Sequence, residues 1–267
     1  MSIAPVPVRS PLSTGLAGST AVLIGGTSGI GLSAGVLLAE VGARVVLVGR
    51  DQARLAAAVD RVRGAVPAGG PADGPADSVL GVSADGSDED ALAEVFERAG
   101  QVDHVLVTSG GLGGAGPVTE LSHDDLRSVL DTRLWGAVAA ARLAANRLPA
   151  GGSITFTSGT FVVRPIPGMT GPLAAVGAVE TFTRALAVEL APKRLRVNAI
   201  RYGSFDTPLL RTVSGLDGDA AVAKAGEGTP LGRFGTAEEA AASALFVMAN
   251  NYVTGQVITV DGGQSLA

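Results

Sequence analysis

Thr20-Ala21-Val22-Leu23-Ile24-Gly25-Gly26-Thr27-Ser28-Gly29-Ile30-Gly31 is the stretch whose reading decides the fold. Thr20 to Ile24 is apolar without alternation, the pattern of a strand buried on both faces. The glycines at 25, 29 and 31 mark a tight turn, and a helical stretch runs from there through Glu40. Ala43 to Val48 supplies a second strand and Asp51 to Arg63 a second helix, so the chain begins β-α-β-α.

The alternation continues to the far end. Further strands are expected at Val79 to Val82, Val102 to Val107, Ser153 to Thr157, Arg196 to Ile200 and Gln256 to Val260. Helices are expected at Asp88 to Ala99, His123 to Arg147, Leu173 to Leu190 and Ala237 to Asn250. Strict alternation implies a parallel sheet with helices on both faces, which makes the expected fold class α/β: a single doubly wound Rossmann-type domain with a seven-stranded sheet. An N-terminal arm, 1–18, carrying Pro5, Pro7 and Pro11, precedes the domain at 19–267. Gly64 to Asp77, rich in Ala, Gly, Pro and Asp, reads as a surface loop, since strand and helix resume directly after it.

Composition narrows the function. The 267 residues are 46% hydrophobic and 17% charged, enough apolar material for a sheet covered on both sides. A net charge of −5 without a Lys/Arg-rich run argues against nucleic acid and against an anionic membrane surface. With no cysteine and two histidines, His104 and His123, neither disulfides, a thiolate nucleophile nor a metal site is expected. The first eighteen residues lack the apolar core of a signal peptide, so a cytoplasmic protein is expected.

A glycine turn between a buried strand and a helix lets the backbone approach a pyrophosphate at the helix N-terminus. Gly25, Thr27, Ser28, Gly29, Ile30 and Gly31 are therefore candidate dinucleotide-binding residues. After the second strand an NAD site would carry an acid for the ribose hydroxyls, whereas this chain has Gly49-Arg50-Asp51. Arg50 suits a 2′-phosphate, which favours NADP(H) over NAD(H), and Asp51 suits the N-cap of the next helix.

With these residues in place the sequence resembles the short-chain dehydrogenase/reductase family from about Leu16 to Gly263. The family's glycine motif matches Gly25, Gly29 and Gly31, and its adenine-holding acid matches Asp85. Ala178 to Leu190, Leu195 to Ile200 and Val260-Asp-Gly-Gly263 are similar to family segments at their usual places. Thr108-Ser109-Gly110-Gly111 stands where the family has Asn-Asn-Ala-Gly, placing Gly110 and Gly111 beside the cofactor. Arg201 to Thr207 stands at the loop that covers the nicotinamide, which adds Gly203, Phe205 and Thr207 to the cofactor set.

The resemblance fails at the catalytic positions. The family uses a Tyr to protonate the carbonyl oxygen, a Lys to lower that Tyr's pKa, a Ser to polarise the carbonyl and an Asn to hold a relay water. Here the Tyr position falls on Pro172, the Lys on Val176, the Asn on Arg133 and the Ser on Gly159, with Ser158 one residue earlier. Three polar residues are candidate replacements. Tyr202 either turns its phenol to the substrate as a proton donor or packs where the family has proline. Arg133 either binds a substrate carboxylate or oxyanion, or makes an ion pair at a surface or interface. Ser158 either reaches the substrate or ends its strand, with Thr157 as an equal candidate.

Leu209 to Gly232 occupies the place of the family's substrate lid, with glycines at 215, 218, 226 and 228 as hinges. The resemblance thus implies an NADP(H)-dependent oxidoreductase of a small or apolar carbonyl, enone or imine, assembled as a homo-dimer or homo-tetramer. A dinucleotide-binding protein without redox turnover, either a cyclase or isomerase or a sensor, is the alternative.

Overall fold

The computed structural model describes residues 6, 9–68, 78–111 and 113–267. Seven strands form one parallel sheet: β1 (Thr20–Ile24), β2 (Arg44–Gly49), β3 (Val79–Ser83), β4 (His104–Val107), β5 (Ser153–Gly159), β6 (Arg196–Tyr202) and, after two short strands, β9 (Val257–Val260). Their order across the sheet is β3-β2-β1-β4-β5-β6-β9. The order reverses between β1 and β4, and a doubly wound sheet opens a ligand crevice beyond the strand ends at such a switch point.

All five residues of β1 are buried because both sheet faces are covered. Val22 and Ile24 enter one core with Phe96, Phe156 and Val179; Ala21 and Leu23 enter the other with Leu38, Leu47 and Met248. The first core lies under α3 (Glu89–Ala99), α5 (Gly136–Ala145) and α6 (Thr170–Leu190), the second under α1 (Gly29–Glu40), α2 (Gln52–Arg63) and α9 (Ala237–Ala249). Each fully buried Leu, Ile or Phe contributes about 1.5–3 kcal/mol of transfer free energy, so the sheet is the rigid platform on which the loops are mounted.

The expected strands form, and so do the expected helices apart from His123 to Arg147, with shifted ends. Asp51 caps α2 by accepting the Arg54 N–H at 2.8 Å. Ser122 and Asp125 form a capping box at the start of α4 (His123–Leu130). The single helix expected over His123 to Arg147 is instead interrupted: α4 ends at Leu130, Asp131–Trp135 is a π-helical turn, and α5 begins at Gly136. The apolar periodicity runs through this break and therefore conceals it. The expected lid segment folds into α7 (Pro208–Val213) and α8 (Gly218–Gly226). Two short strands, β7 (Phe205–Asp206) and β8 (Gly235–Thr236), bracket it. The arm is not all loose chain, since Ser13–Leu16 forms a 3-10 turn that buries Leu16. Within the Gly64 to Asp77 loop, residues 69–77 lie outside the described residues, as do 1–5, 7 and 8 of the arm. No helix among the described residues is long and apolar enough to cross a membrane.

Candidate functional site

At the switch point the ends of β1, β2 and β4 enclose a cleft of about 570 Å³. Its floor is the turn Gly25–Gly29. Gly25 has φ +92°, and a Cβ there would lie 2.7 Å from the Ser109 nitrogen and from Thr108 Oγ1. A Cβ on Gly31 would meet the Gly25 carbonyl oxygen at 2.4 Å. Thr108 Oγ1 donates to the Gly25 carbonyl at 3.1 Å, tying the turn to β4. Ser28 makes no side-chain cap for α1, and no acid sits in that helix's first turn, so its N-terminal N–H groups are left for an anion. The cradle fits a pyrophosphate.

Arg50 stands at one end of the cleft, 77% exposed, with Nη1 3.4 Å from Asp85 Oδ2. The Asp85 carboxylate also accepts the Ser87 N–H at 2.9 Å and the Ser87 hydroxyl at 2.7 Å. The backbone hydrogen bond from Ser87 is the largest cause holding its pKa below the ordinary carboxylate range, with Arg50 adding to the shift. Arg54, one turn along α2, lines the same end and was not singled out from the sequence. Its spacing of four from Arg50 across a capped helix start is the signal that could have found it. Gly110, Gly111 and Thr207 line the far side with Thr132, Pro208, Leu209 and Thr212, while Gly203 and Phe205, expected in the cofactor set, do not line the cleft.

The three catalytic candidates separate. Arg133 lies on the π-helical turn between cleft-lining Thr132 and the core, with Nε and Nη2 donating to the Gly111 carbonyl at 3.3 and 3.2 Å. Its guanidinium crosses Gly110 so closely that a Cβ there would touch Nε at 2.4 Å. Among the described residues no carboxylate lies within ion-pair distance of it, so the expected alternative of an ion pair within the chain is not realised. Desolvation lowers its pKa from the ordinary value.

Ser158 is buried, and its hydroxyl donates to Glu180 Oε1 at 2.6 Å. Thr157 Oγ1 donates to the Val107 carbonyl at 3.1 Å. Tyr202 points through the opposite face of the sheet, where its hydroxyl donates to the Ala240 carbonyl at 2.9 Å and meets Ser243 Oγ at 3.2 Å. Its ring packs edge-on against Phe205 at 5.4 Å. Side chains alternate along β6, so Arg201 faces α6 and Tyr202 must face α9. Burial pushes its phenol further up from its already high value, and neither Ser158 nor Tyr202 lines the cleft. Of the two readings given for each, Tyr202 packs on the α9 side of the sheet and Ser158 ends its strand on Glu180, and neither side chain reaches the cleft.

The sheet order, the switch-point crevice and the glycine cradle define a Rossmann-class α/β protein. A family model described as Enoyl-(Acyl carrier protein) reductase matches residues 24–265. "Carbonyl reductase family member 4" of Danio rerio is 32% identical over 250 residues, 92% of this chain and 98% of that protein. A 3-oxoacyl-[acyl-carrier-protein] reductase of Chlamydia muridarum is 32% identical over 259 residues, 94% and 98% respectively. Among solved structures, the MalC Reductase/Diels-Alderase from Malbranchea aurantiaca superposes with a TM-score of 0.85 at 27% identity, covering 97% of this chain and 100% of that one. The chain belongs to the short-chain dehydrogenase/reductase family, a family of oxidoreductases.

Proposed function

We propose that this chain is an NADP(H)-dependent short-chain reductase with an atypical substrate site, acting on a small or apolar carbonyl, enone or imine. The observation that carries the reading is the cleft itself: a glycine cradle at a helix N-terminus, with Arg50 and Arg54 at the end where a 2′-phosphate would lie. Gly25 to Gly31 would hold the pyrophosphate and Asp85 the adenine. Gly110, Gly111 and the Gly203–Thr207 loop would border the nicotinamide. When bound, the cofactor supplies hydride. The carbonyl and oxoacyl reductases among the relatives support a reductive direction.

What the chain offers the substrate differs from the family pattern. Pro172 and Val176, at the positions where the family carries Tyr and Lys, are buried and have neither a proton to give nor a charge. Arg133, next to cleft-lining Thr132, is desolvated and has no carboxylate within ion-pair distance among the described residues. It stabilises negative charge growing on the substrate oxygen or nitrogen, while water supplies the proton.

Arg133→Met tests this reading. It should cut turnover of the best substrate by about 100-fold, the scale of one lost oxyanion donor, with NADPH affinity held within about threefold. Unchanged turnover in the variant would remove Arg133 from the reaction.

A further inference from the structure

The segment after β9 touches three loops: Gly203–Thr207, the β5-to-α6 connection and the end of the lid. Asp261 Oδ1 accepts the Gly263 N–H and Oδ2 the Ser265 N–H, both at 2.9 Å, which folds the segment back on itself. The fold-back delivers Gln264 to the Gly203–Thr207 loop, where its side-chain carbonyl accepts the Ser204 N–H at 2.7 Å. The Gln264 backbone carbonyl accepts from Arg164 Nη1 at 2.7 Å, on the β5-to-α6 connection. Pro230 and Leu231, at the end of the lid, pack over Gly263 and Gly262. The contact with the loop is tight: a Cβ on Gly203 would lie 2.5 Å from Gln264 Oε1.

Ser204 is thereby held on both sides, since its carbonyl accepts the Gly235 N–H at 3.1 Å. Further along, Asp206 is clasped by Arg211 at 2.6 and 2.8 Å, and Thr207 Oγ1 accepts the Leu210 N–H at 3.3 Å as the cap of α7. The loop's far end is therefore fixed from within the lid. At its near end the Gly203 N–H donates to the Val260 carbonyl at 3.0 Å, and the Ser204 N–H is taken up by a side chain some sixty residues later in the sequence.

We propose that Gln264 is a positioning residue for the nicotinamide half of the cofactor, its side-chain carbonyl holding Ser204 and through it the Gly203–Thr207 loop against the cleft. Gln264 touches no reacting atom and acts through the loop. The inference rests on the dinucleotide reading of the cleft, and its test separates the two.

NADPH and the adenosine fragment 2′,5′-ADP are titrated onto the wild type, Gln264→Met, which keeps length and loses the acceptor, and Gln264→Glu, which keeps the acceptor. Gln264→Met should weaken NADPH roughly tenfold, the scale of one lost hydrogen bond, and leave 2′,5′-ADP unchanged. Gln264→Glu should restore NADPH affinity to within about threefold. Equal losses for NADPH and 2′,5′-ADP, unchanged NADPH affinity in Gln264→Met, or failure of Gln264→Glu to restore it would each overturn the positioning role. Failure of the wild type to bind NADPH would overturn the cofactor reading, and this inference with it.

Discussion

The Ser158 hydroxyl lies 2.6 Å from Oε1 of Glu180, a carboxylate that Arg201 clasps from its other side with Nε at 2.9 Å and Nη2 at 2.6 Å. Glu180 and Arg201 are both largely shielded from water, and Thr259 Oγ1 accepts a further Arg201 N–H at 3.0 Å. The cluster joins β5, β6, β9 and α6 just below the strand ends. Glu180→Leu leaves a buried guanidinium without its counter-charge and should cost about 3–5 kcal/mol in urea denaturation. Ser158→Ala removes one hydrogen bond to a charged group and should cost about 1.5–3 kcal/mol, with turnover per folded molecule held within a few fold. A Ser158→Ala variant of full stability and abolished turnover would restore the direct substrate role to that serine.

Tyr202→Phe probes the other displaced candidate. Its hydroxyl is committed to Ala240 and Ser243 on the α9 side, so the variant should lose about 1 kcal/mol of stability and keep its turnover. Steady-state rates beside a denaturation curve measure both.

Gly31→Ala tests the cradle. The added methyl would collide with the Gly25 carbonyl and with Thr108 Oγ1, at 2.4 and 2.6 Å, so the turn must open. NADPH affinity in a fluorescence titration should fall at least ~10-fold, with a lower melting temperature. Retention of both would mean that the turn is looser than its packing indicates.

His104 sets a pH dependence at the opposite end of the sheet. Its Nδ1 lies 2.8 Å from Ser153 Oγ, and burial, with lesser effects from Arg196 and Arg9, lowers its pKa from 6.5 to about 3. Between those values the unfolded chain binds a proton that the folded chain refuses. The stability is therefore complete above pH 6.5 and is lost as pH falls toward 3. Between pH 6 and pH 5 the wild type should lose about 1 kcal/mol more than His104→Gln, measured by urea denaturation at each pH.

The sheet was legible because each buried strand is a short apolar run and each turn carries its glycine or cap, as at Ile24-Gly25 and Asp51. Arg50 and the glycine turn were legible for the same reason: strand ends fix where their neighbours lie. The interruption at Asp131–Trp135 was not, because a π turn changes the hydrogen-bond ring without changing the side-chain pattern. For Tyr202 and Ser158 position along the chain left two readings open, and strand parity decides between them. Alternation sends Tyr202 toward α9, and Ser158 toward a Glu180 that lies 22 residues away in sequence. Gln264 carries no local signal, since its role depends on a fold-back that only tertiary structure reveals.

We propose that the cleft takes NADP(H), selected by Arg50, and uses it to reduce a substrate. The most direct measurement is a fluorescence titration of wild type and Arg50→Ala with NADPH and NADH, followed by NADPH oxidation across a panel of ketones, enones and imines. NADPH should bind more tightly than NADH, Arg50→Ala should lose about 10-fold or more for NADPH alone, and at least one member of the panel should turn over. Equal affinity for the two cofactors, or equal losses in the variant, would contradict the role of Arg50; tight NADPH binding without turnover would contradict the reductase, and no binding would contradict the site itself.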